Sequence, residues 1–254
     1  MLPCEENMLK IALVGYGKMG RMVHDLARTM PFEVVAIIDP SQPDCSAAIT
    51  QESLKDAEVC IEFSHPACVL ENIRQICSAG RNLVVGTTGW NDKMDEVKAW
   101  VAKSGVGMVY GSNLSIGMNV FYEIVAKAAE EFSRYAEYDP FGLELHHRQK
   151  ADSPSGTAKE LAGIILENSS TKTSTFYEKS EGKINPEQLH FASVRAGFIP
   201  GTHTVGFDSE ADTIELTHRA RSRVGFALGA LKAAAWIADK KGFYSFRDFI
   251  RANR

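Results

Sequence analysis

The stretch Lys10-Ile11-Ala12-Leu13-Val14-Gly15-Tyr16-Gly17-Lys18-Met19-Gly20 decides the fold. An apolar run of strand length closes on a Gly-x-Gly-x-x-Gly turn, and Met22, Val23 and Leu26 then recur at helical spacing. In the order strand, tight turn, helix, each glycine has a mechanical task. Gly15 makes the turn, Gly17 lets a pyrophosphate approach the backbone, and Gly20 lets the helix pack on the strand. A second apolar run at 33–38 ends in Asp39, about twenty residues beyond the glycines, where an acid hydrogen-bonds the adenosine ribose. The unit reads as a dinucleotide site built from Gly15, Tyr16, Gly17, Lys18, Met19, Gly20 and Asp39. Pro40 and Ser41 follow Asp39 with no Arg beside it, which favours a free 2′-hydroxyl over a 2′-phosphate on electrostatic grounds. The cofactor expected is NADH or NADPH, with a weak preference for NADH that Lys18 partly offsets.

The alternation continues outward from this unit. Strand runs are read at 58–63, 82–85 and 106–110, a helix is expected to start at Ser64-His65-Pro66, and the last two strands end in Gly86-Thr87-Thr88-Gly89 and Gly111-Ser112-Asn113. Strand and helix in repetition imply a parallel sheet with right-handed crossovers, whose ligands bind beyond the carboxyl ends of the strands. Both glycine loops lie there.

The pattern changes after Ile116. A long helical stripe (Val120, Ile124, Val125, Ala128, Phe132) leads to an alternating strand at 139–145, and the Ser, Thr, Lys and Glu-rich segment 169–186 reads as a mobile surface loop. Three more strands, at 189–195, 203–207 and 213–218, follow without helices between them, as in an open mixed or antiparallel sheet. The Ala-rich apolar helix at 224–240 is expected to dock back on the first half. The fold class is therefore α/β, a Rossmann-type parallel sheet domain plus a smaller α+β domain with an open mixed sheet. The expected boundaries are 1–114 with 219–254 for dinucleotide binding and 115–218 for substrate binding and oligomerisation, with the two crossings near 113–115 and 218–223 forming a hinge.

The densest polar chemistry lies at Glu144-Leu-His-His-Arg-Gln-Lys-Ala-Asp-Ser-Pro-Ser-Gly-Thr-Ala158. If the strand continued, Glu144, His146, Arg148 and Lys150 would share one face and His147 the other, with His146 and Lys150 roughly 13 Å apart when fully extended. That distance suits two ends of one small anion. Ser153-Pro154-Ser155-Gly156-Thr157 leads into a helix marked by Leu161, Ile164 and Ile165, so free N–H groups and the Ser155 and Thr157 hydroxyls form a carboxylate or phosphate receptor, closely approachable at Gly156. Taken singly, these residues also read blandly, as a surface histidine, a helix cap and a solvated basic face. Together they make a binding site the better reading. Adjacent histidines diverge on a strand and no Cys lies near, so no metal is expected.

The run His146-His147-Arg148-x-Lys150-x-Asp152-x-Pro154-Ser155-Gly156-Thr157 resembles the signature of the dihydrodipicolinate reductases (4-hydroxy-tetrahydrodipicolinate reductases) of the diaminopimelate and lysine pathway, with Ser153 where that family usually has Ala. The resemblance extends over nearly the whole chain. Gly86-Thr87-Thr88-Gly89 matches the family's nicotinamide-side loop, and Ser112-Asn113-Leu114-Ser115 its Asn-Phe-Ser segment, with Leu114 replacing Phe. Arg195-Ala196-Gly197, Gly201-Thr202-His203-Thr204 and Leu216-Thr217-His218-Arg219 also resemble it. Many members carry one more residue in the glycine loop. The resemblance implies NAD(P)H bound by the first domain, with Gly86, Thr87, Thr88, Gly111, Ser112, Asn113 and Leu114 on the cofactor, and hydride delivery to a small cyclic dicarboxylate. It implies His146 and Lys150 as the catalytic pair, His147, Ser155, Gly156 and Thr157 as substrate ligands, and a homotetramer. Hydride addition to a conjugated imine or enamine leaves electron density to be protonated, a task suited to histidine chemistry. Two alternatives stay open: another two-domain amino-acid dehydrogenase, acting for instance on aspartate, and a non-catalytic NADH sensor.

Composition narrows the partners. A net charge of −4 argues against nucleic acid or anionic membrane as the main partner, and 254 residues suffice for two modest cores. The five cysteines (Cys4, Cys45, Cys60, Cys68, Cys77) are odd in number and form no C-x-x-C pair, as free thiols in a reducing compartment do. No basic-then-apolar leader precedes Lys10, and Lys232 interrupts the apolar segment 224–238, so a cytoplasmic protein without signal peptide or membrane span is expected. Residues 1–7 read as a short lead or an upstream start.

Overall fold

Residues 8–253 are described by a computed structural model. The lead expected over residues 1–7, with Cys4, lies outside the described residues. The first compact unit takes the chain up to Ile116 and again from Arg223, and the second is Gly117–Ser222.

In the first unit, strands β1 (Leu9–Val14), β2 (Phe32–Ile38), β3 (Val59–Glu62), β4 (Asn82–Val85) and β5 (Gly107–Tyr110) are short and apolar. They alternate with α1 (Lys18–Ala27), the single turn α2 (Gln51–Leu54), α3 (Val69–Ser78) and α4 (Met94–Ser104). Burial on both faces explains the continuous apolar runs. On one face Ile11, Leu13, Ile61 and Val84 pack on Val23 and Ala27 of α1. On the other, Ala12, Val14, Cys60 and Leu83 pack on Ile73, Val97 and Val101. Cys45, Cys60, Cys68 and Cys77 are free thiols.

Three elements here differ from the sequence reading. Residues 65–68 form a turn, and α3 begins only at Val69, so Pro66 precedes the helix. Beyond Arg223, α7 (Val224–Ile237) returns to the first core as expected. The buried Asn82 holds its end, donating to Ile237 O at 2.8 Å and Ala238 O at 2.9 Å while accepting the Gly107 N–H at 2.7 Å. Two further elements, β11 (Gly242–Ser245) and α8 (Phe246–Ala252), follow, and β11 completes a parallel sheet of order β11-β5-β4-β3-β1-β2.

The second unit holds α5 (Ile116–Phe132), β6 (Asp139–His146), α6 (Gly156–Asn168), β7 (Ser174–Phe176), β8 (Gln188–Arg195), β9 (Thr202–Asp208) and β10 (Thr213–Arg219). Its sheet, ordered β10-β9-β6-β8-β7, is mixed: β6 runs parallel to β8 and antiparallel to β9. Helices α5 and α6 cover one face through Met118, Phe121, Tyr122, Val125, Leu161 and Ile165. The buried stripe of α5 is thus rotated from the expected one, and Val120 and Ile124 are 40% and 49% exposed. The polar segment expected to be a mobile loop contains β7, paired in parallel with β8. Lys172, 5% exposed, pins it: Nζ donates to Pro186 O at 2.7 Å and Gln188 O at 3.1 Å and pairs with Asp139. A polar composition hid a staple. No helix among the described residues is long and apolar enough to cross a membrane.

Candidate active site

At the carboxyl end of β1, Gly15 turns with φ +89° and its N–H donates to Ile38 O at 2.9 Å. A Cβ on Gly15 would sit 2.4 Å from Phe63 O, and one on Gly20 would sit 2.1 Å from Gly15 O. Nothing lies within 4 Å of the Cβ position of Gly17, which is the N-cap of α1 without a side-chain cap. The uncapped N-terminus and the open space over Gly17 are what a pyrophosphate requires.

Asp39 stands at the end of β2. Its carboxylate accepts the Tyr16 N–H at 2.7 Å and the Ser41 N–H at 2.9 Å. Burial alone would raise its pKa, but hydrogen bonds from Ser41 and Tyr16 and the charge of Arg21 together hold it below the usual carboxylate range. Arg21, on the first turn of α1, lies 4.5 Å over the Tyr16 ring and donates to Gln42 Oε1 at 2.8 Å. The cation missing from the sequence next to Asp39 therefore arrives from the helix.

Further along the strand ends, Met19, Gly86, Gly111, Ser112 and Leu114 line a cavity of about 240 Å³ with Phe63, Arg223 and Phe226. The last three were not read from the sequence. The Leu114 side chain is 2% exposed and belongs to the core, so its main chain is what it offers. Thr87 is buried, Thr88 exposed, and Asn113 accepts the Ser115 N–H at 2.9 Å. Beneath Gly86 and Thr87 lies Glu62, at 0% exposure. Its Oε1 accepts from Ser64 N at 3.1 Å, Asn72 Nδ2 at 3.2 Å and the Ser64 hydroxyl, and Thr87 bears on the same carboxyl. Burial outweighs these bonds and raises its pKa.

The second cluster belongs wholly to the other unit. Strand β6 stops at His146, and residues 147–150 turn, with the Lys150 N–H donating to His147 O at 3.1 Å. The extended face expected for Arg148 and Lys150 does not form. Glu144 and His146 do share a face: Glu144 Oε2 lies 3.1 Å from His146 Nδ1. Glu144 is fully buried, and its Oε1 accepts from Ser155 N at 2.9 Å, Ser193 Oγ at 2.7 Å and Arg195 Nη2 at 2.8 Å. The Ser155 hydroxyl bonds Oε2, and His203 Nε2 stands 3.5 Å from it. Burial would raise the Glu144 pKa, but contacts with His146, His203, Ser155 and Arg195 reverse the effect and hold it far below the usual range. Burial lowers the proton affinity of His203.

Ser155 caps α6 by accepting the Ala158 N–H at 3.1 Å, so Gly156 and Thr157 occupy the first helical turn. Lys150 Nζ lies 2.7 Å from Asp152 Oδ1, and the Gly156 N–H bears on that carboxylate. His147 Nδ1 is buried without a hydrogen-bond partner, while its N–H donates to Ile199 O at 2.8 Å. The structure thus gathers His146, His147, Lys150, Ser155, Gly156 and Thr157 around one strand end and one helix N-terminus. It adds Glu144, Ser193, Arg195 and His203, of which all but Ser193 fall in stretches that the sequence marks. Glu144, His146 and His203 each bring a possible metal ligand within 4.8 Å of the others. The Arg195 guanidinium on the same carboxylate opposes a second cation there.

Comparison with known proteins covers nearly the whole chain. The family model described as dihydrodipicolinate reductase, N-terminus matches residues 9–114, and that described as dihydrodipicolinate reductase, C-terminus matches 117–250. The 4-hydroxy-tetrahydrodipicolinate reductase of Christiangramia forsetii is 38% identical over 95% of this chain and 98% of its own length. That of Archaeoglobus fulgidus is 37% identical over 95% of this chain and 100% of its own. A dipicolinate-bound dihydrodipicolinate reductase from Paenisporosarcina shares the fold, with a TM-score of 0.76 at 24% identity, covering 95% of this chain and 99% of that one. With both family models matched in order and relatives this similar from end to end, the chain belongs to the dihydrodipicolinate reductase family.

Proposed function

We propose that the chain uses NAD(P)H to reduce 4-hydroxy-tetrahydrodipicolinate, or the dihydrodipicolinate formed from it by loss of water, to tetrahydrodipicolinate in diaminopimelate and lysine biosynthesis. One observation carries the reading. The run from His146 to Thr157 folds into a strand end, a turn and a helix N-terminus that collect imidazole, ammonium and backbone N–H donors at one place. A small ring dicarboxylate needs cations and N–H donors for its two charges and a proton donor for its reduced ring. The relatives similar over nearly the whole chain carry the name of that reductase. Neither another amino-acid dehydrogenase nor a non-catalytic sensor has comparable support.

Reduced nicotinamide, when bound, supplies the hydride. The turn from Gly15 to Gly20 and Asp39 hold the dinucleotide, and Gly86, Thr87, Thr88, Gly111, Ser112, Asn113 and Leu114 hold its nicotinamide end. Lys150, His147, Gly156 and Thr157 grip the substrate carboxylates. Hydride addition to the conjugated imine leaves an electron pair on the ring, and His146 delivers the proton that quenches it, with Lys150 as co-donor or electrostatic stabiliser. Ser155, whose N–H and hydroxyl both engage Glu144, serves by fixing the helix end. Asp39 favours NADH, and the Arg21 charge beside it keeps NADPH usable. A homotetramer in the cytoplasm completes the reading. Val194 and Phe198, 42% and 85% exposed, leave apolar surface on the second unit for assembly.

The deciding experiment mixes purified protein with the freshly made condensation product of pyruvate and aspartate semialdehyde and follows loss of NADH or NADPH absorbance. Rapid oxidation that disappears in Lys150→Ala is expected. No oxidation despite tight cofactor binding would sink the proposal.

A further inference from the structure

Glu144 has no part in the chemistry just described, yet it is a fully buried carboxylate at the centre of the second cluster. Its two oxygens do different work. Oε1 receives three donors, one from the start of α6 and two from β8: Ser155 N at 2.9 Å, Ser193 Oγ at 2.7 Å and Arg195 Nη2 at 2.8 Å. Those donors fix the plane of the carboxylate. Oε2 then faces His146 Nδ1 at 3.1 Å and His203 Nε2 at 3.5 Å.

Nδ1 is buried and makes no hydrogen bond in this geometry, so the Oε2 charge 3.1 Å away is what it faces, and a proton on Nδ1 spares a bare lone pair from meeting that charge. With its hydrogen on Nδ1, neutral His146 leaves Nε2 as the atom that takes up and releases the working proton. The Nε2 side is narrow. Gly201, at φ +154°, is its neighbour, and a Cβ at that position would lie 3.0 Å from Nε2. His203 stacks edge-on against His146 with centroids 5.1 Å apart, closing the ring from another side. The same carboxylate binds both the N–H and the hydroxyl of Ser155, the N-cap of α6.

We propose that Glu144 is a positioning residue, which fixes the tautomer and orientation of His146 and ties that imidazole to the helix N-terminus carrying Gly156 and Thr157. The inference rests on the reading of His146 as proton donor, and the tests separate the two. The first uses the unaltered protein. Long-range ¹H–¹⁵N correlation of the imidazoles, with His146 assigned by its absence in His146→Ala, is expected to place the hydrogen of neutral His146 on Nδ1. A hydrogen on Nε2 would overturn the proposal.

The second test is Glu144→Gln. Three donors hold the amide oxygen on the Oε1 side, so the amide nitrogen turns toward His146 and drives its hydrogen to Nε2. The expected result is that tautomer shift together with a fall in kcat of about 100-fold or more and KM within about threefold. In a His146→Ala background the same substitution should cost less than about twofold. An equal loss in both backgrounds would reduce Glu144 to a structural residue and overturn the proposal. Wild-type turnover by His146→Ala alone would instead remove the proton-donor reading, while the tautomer measurement still decides the placing role of Glu144.

Discussion

Lys150 Nζ lies 2.7 Å from the Asp152 carboxylate, and the Gly156 N–H bears on that same group. A carboxylate of the chain thus occupies two of the donors proposed for a substrate carboxylate. Asp152 is about half exposed, its side chain at 54%, so the pair is a solvated one that contributes about 1 kcal/mol or less. Displacing it is cheap but not free. Asp152→Asn is expected to lower the KM for substrate by about twofold to fivefold with kcat kept, and to tighten binding of an unreactive ring dicarboxylate such as dipicolinate by the same factor. Calorimetric titration with dipicolinate checks this directly. A weaker affinity in the variant would mean that Asp152 organises Lys150 instead of competing with the ligand.

Arg21 makes a separate prediction about the cofactor. The guanidinium lies 4.5 Å over the Tyr16 ring and its charge reaches Asp39. A 2′-phosphate on the adenosine ribose would meet repulsion from Asp39 and attraction from Arg21, whereas a 2′-hydroxyl needs only the acid. Arg21→Ala should raise the KM for NADPH by roughly tenfold and change that for NADH by less than about threefold. Steady-state kinetics with both cofactors read the ratio, and equal changes would show that Arg21 acts only on the shape of the turn.

The glycine turn itself gives the sharpest steric test. A Cβ on Gly20 would lie 2.1 Å from Gly15 O, a backbone atom that cannot move without opening the β1–α1 turn. Gly20→Ala should cost about 1–3 kcal/mol of stability and weaken binding of either cofactor more than tenfold. Gly17→Ala meets no atom within 4 Å and should fold normally, losing cofactor affinity alone. Thermal melts with and without NADH distinguish the two, and a Gly17→Ala protein with full affinity would move the pyrophosphate elsewhere.

What the sequence made legible is local. The turn after β1 and the cap of α6 are each written within a dozen residues, because glycine spacing and an N-cap serine act on their immediate neighbours. Glu144 also stands in the marked stretch, but its task does not. Its partners Ser193, Arg195 and His203 come from β8 and β9, and only strand register places Glu144 opposite Ser193 and His203. Arg21 meets Asp39 only through the helix turn. The α5 stripe was misread because Val120 and Ile124 fit a helical period as well as Phe121 and Val125 do, and only the sheet selects the buried side. One missed element did carry a local signal. Ser245 and Asp248 form a capping box at the start of α8, with Ser245 N donating to Asp248 Oδ2 at 2.8 Å.

Glu62 gives the last prediction, and its sign runs opposite to that of most carboxylates. It is fully buried, Oε1 takes three donors, and Oε2 is buried without a hydrogen-bond partner. Burial is the largest influence on it and raises its pKa above the ordinary value. A group whose proton is held more tightly in the folded state stabilises the fold fully below its unfolded pKa, roughly pH 4.3, and loses that stabilisation as pH rises toward the folded value. Each tenfold gain in proton affinity on folding corresponds to about 1.4 kcal/mol lost by the time the group has ionised. Glu62→Gln keeps the oxygen that faces Ser64 and Asn72 and removes the ionisation. The variant should match or trail the wild type near pH 4, then gain on it steadily as pH rises, with a higher Tm at pH 8. Melting curves of both proteins from pH 4 to pH 9 measure the difference. A gap that stays constant over that range would mean that Glu62 is ionised in the fold and that the loop bearing Gly86 and Thr87 rests on a buried charge.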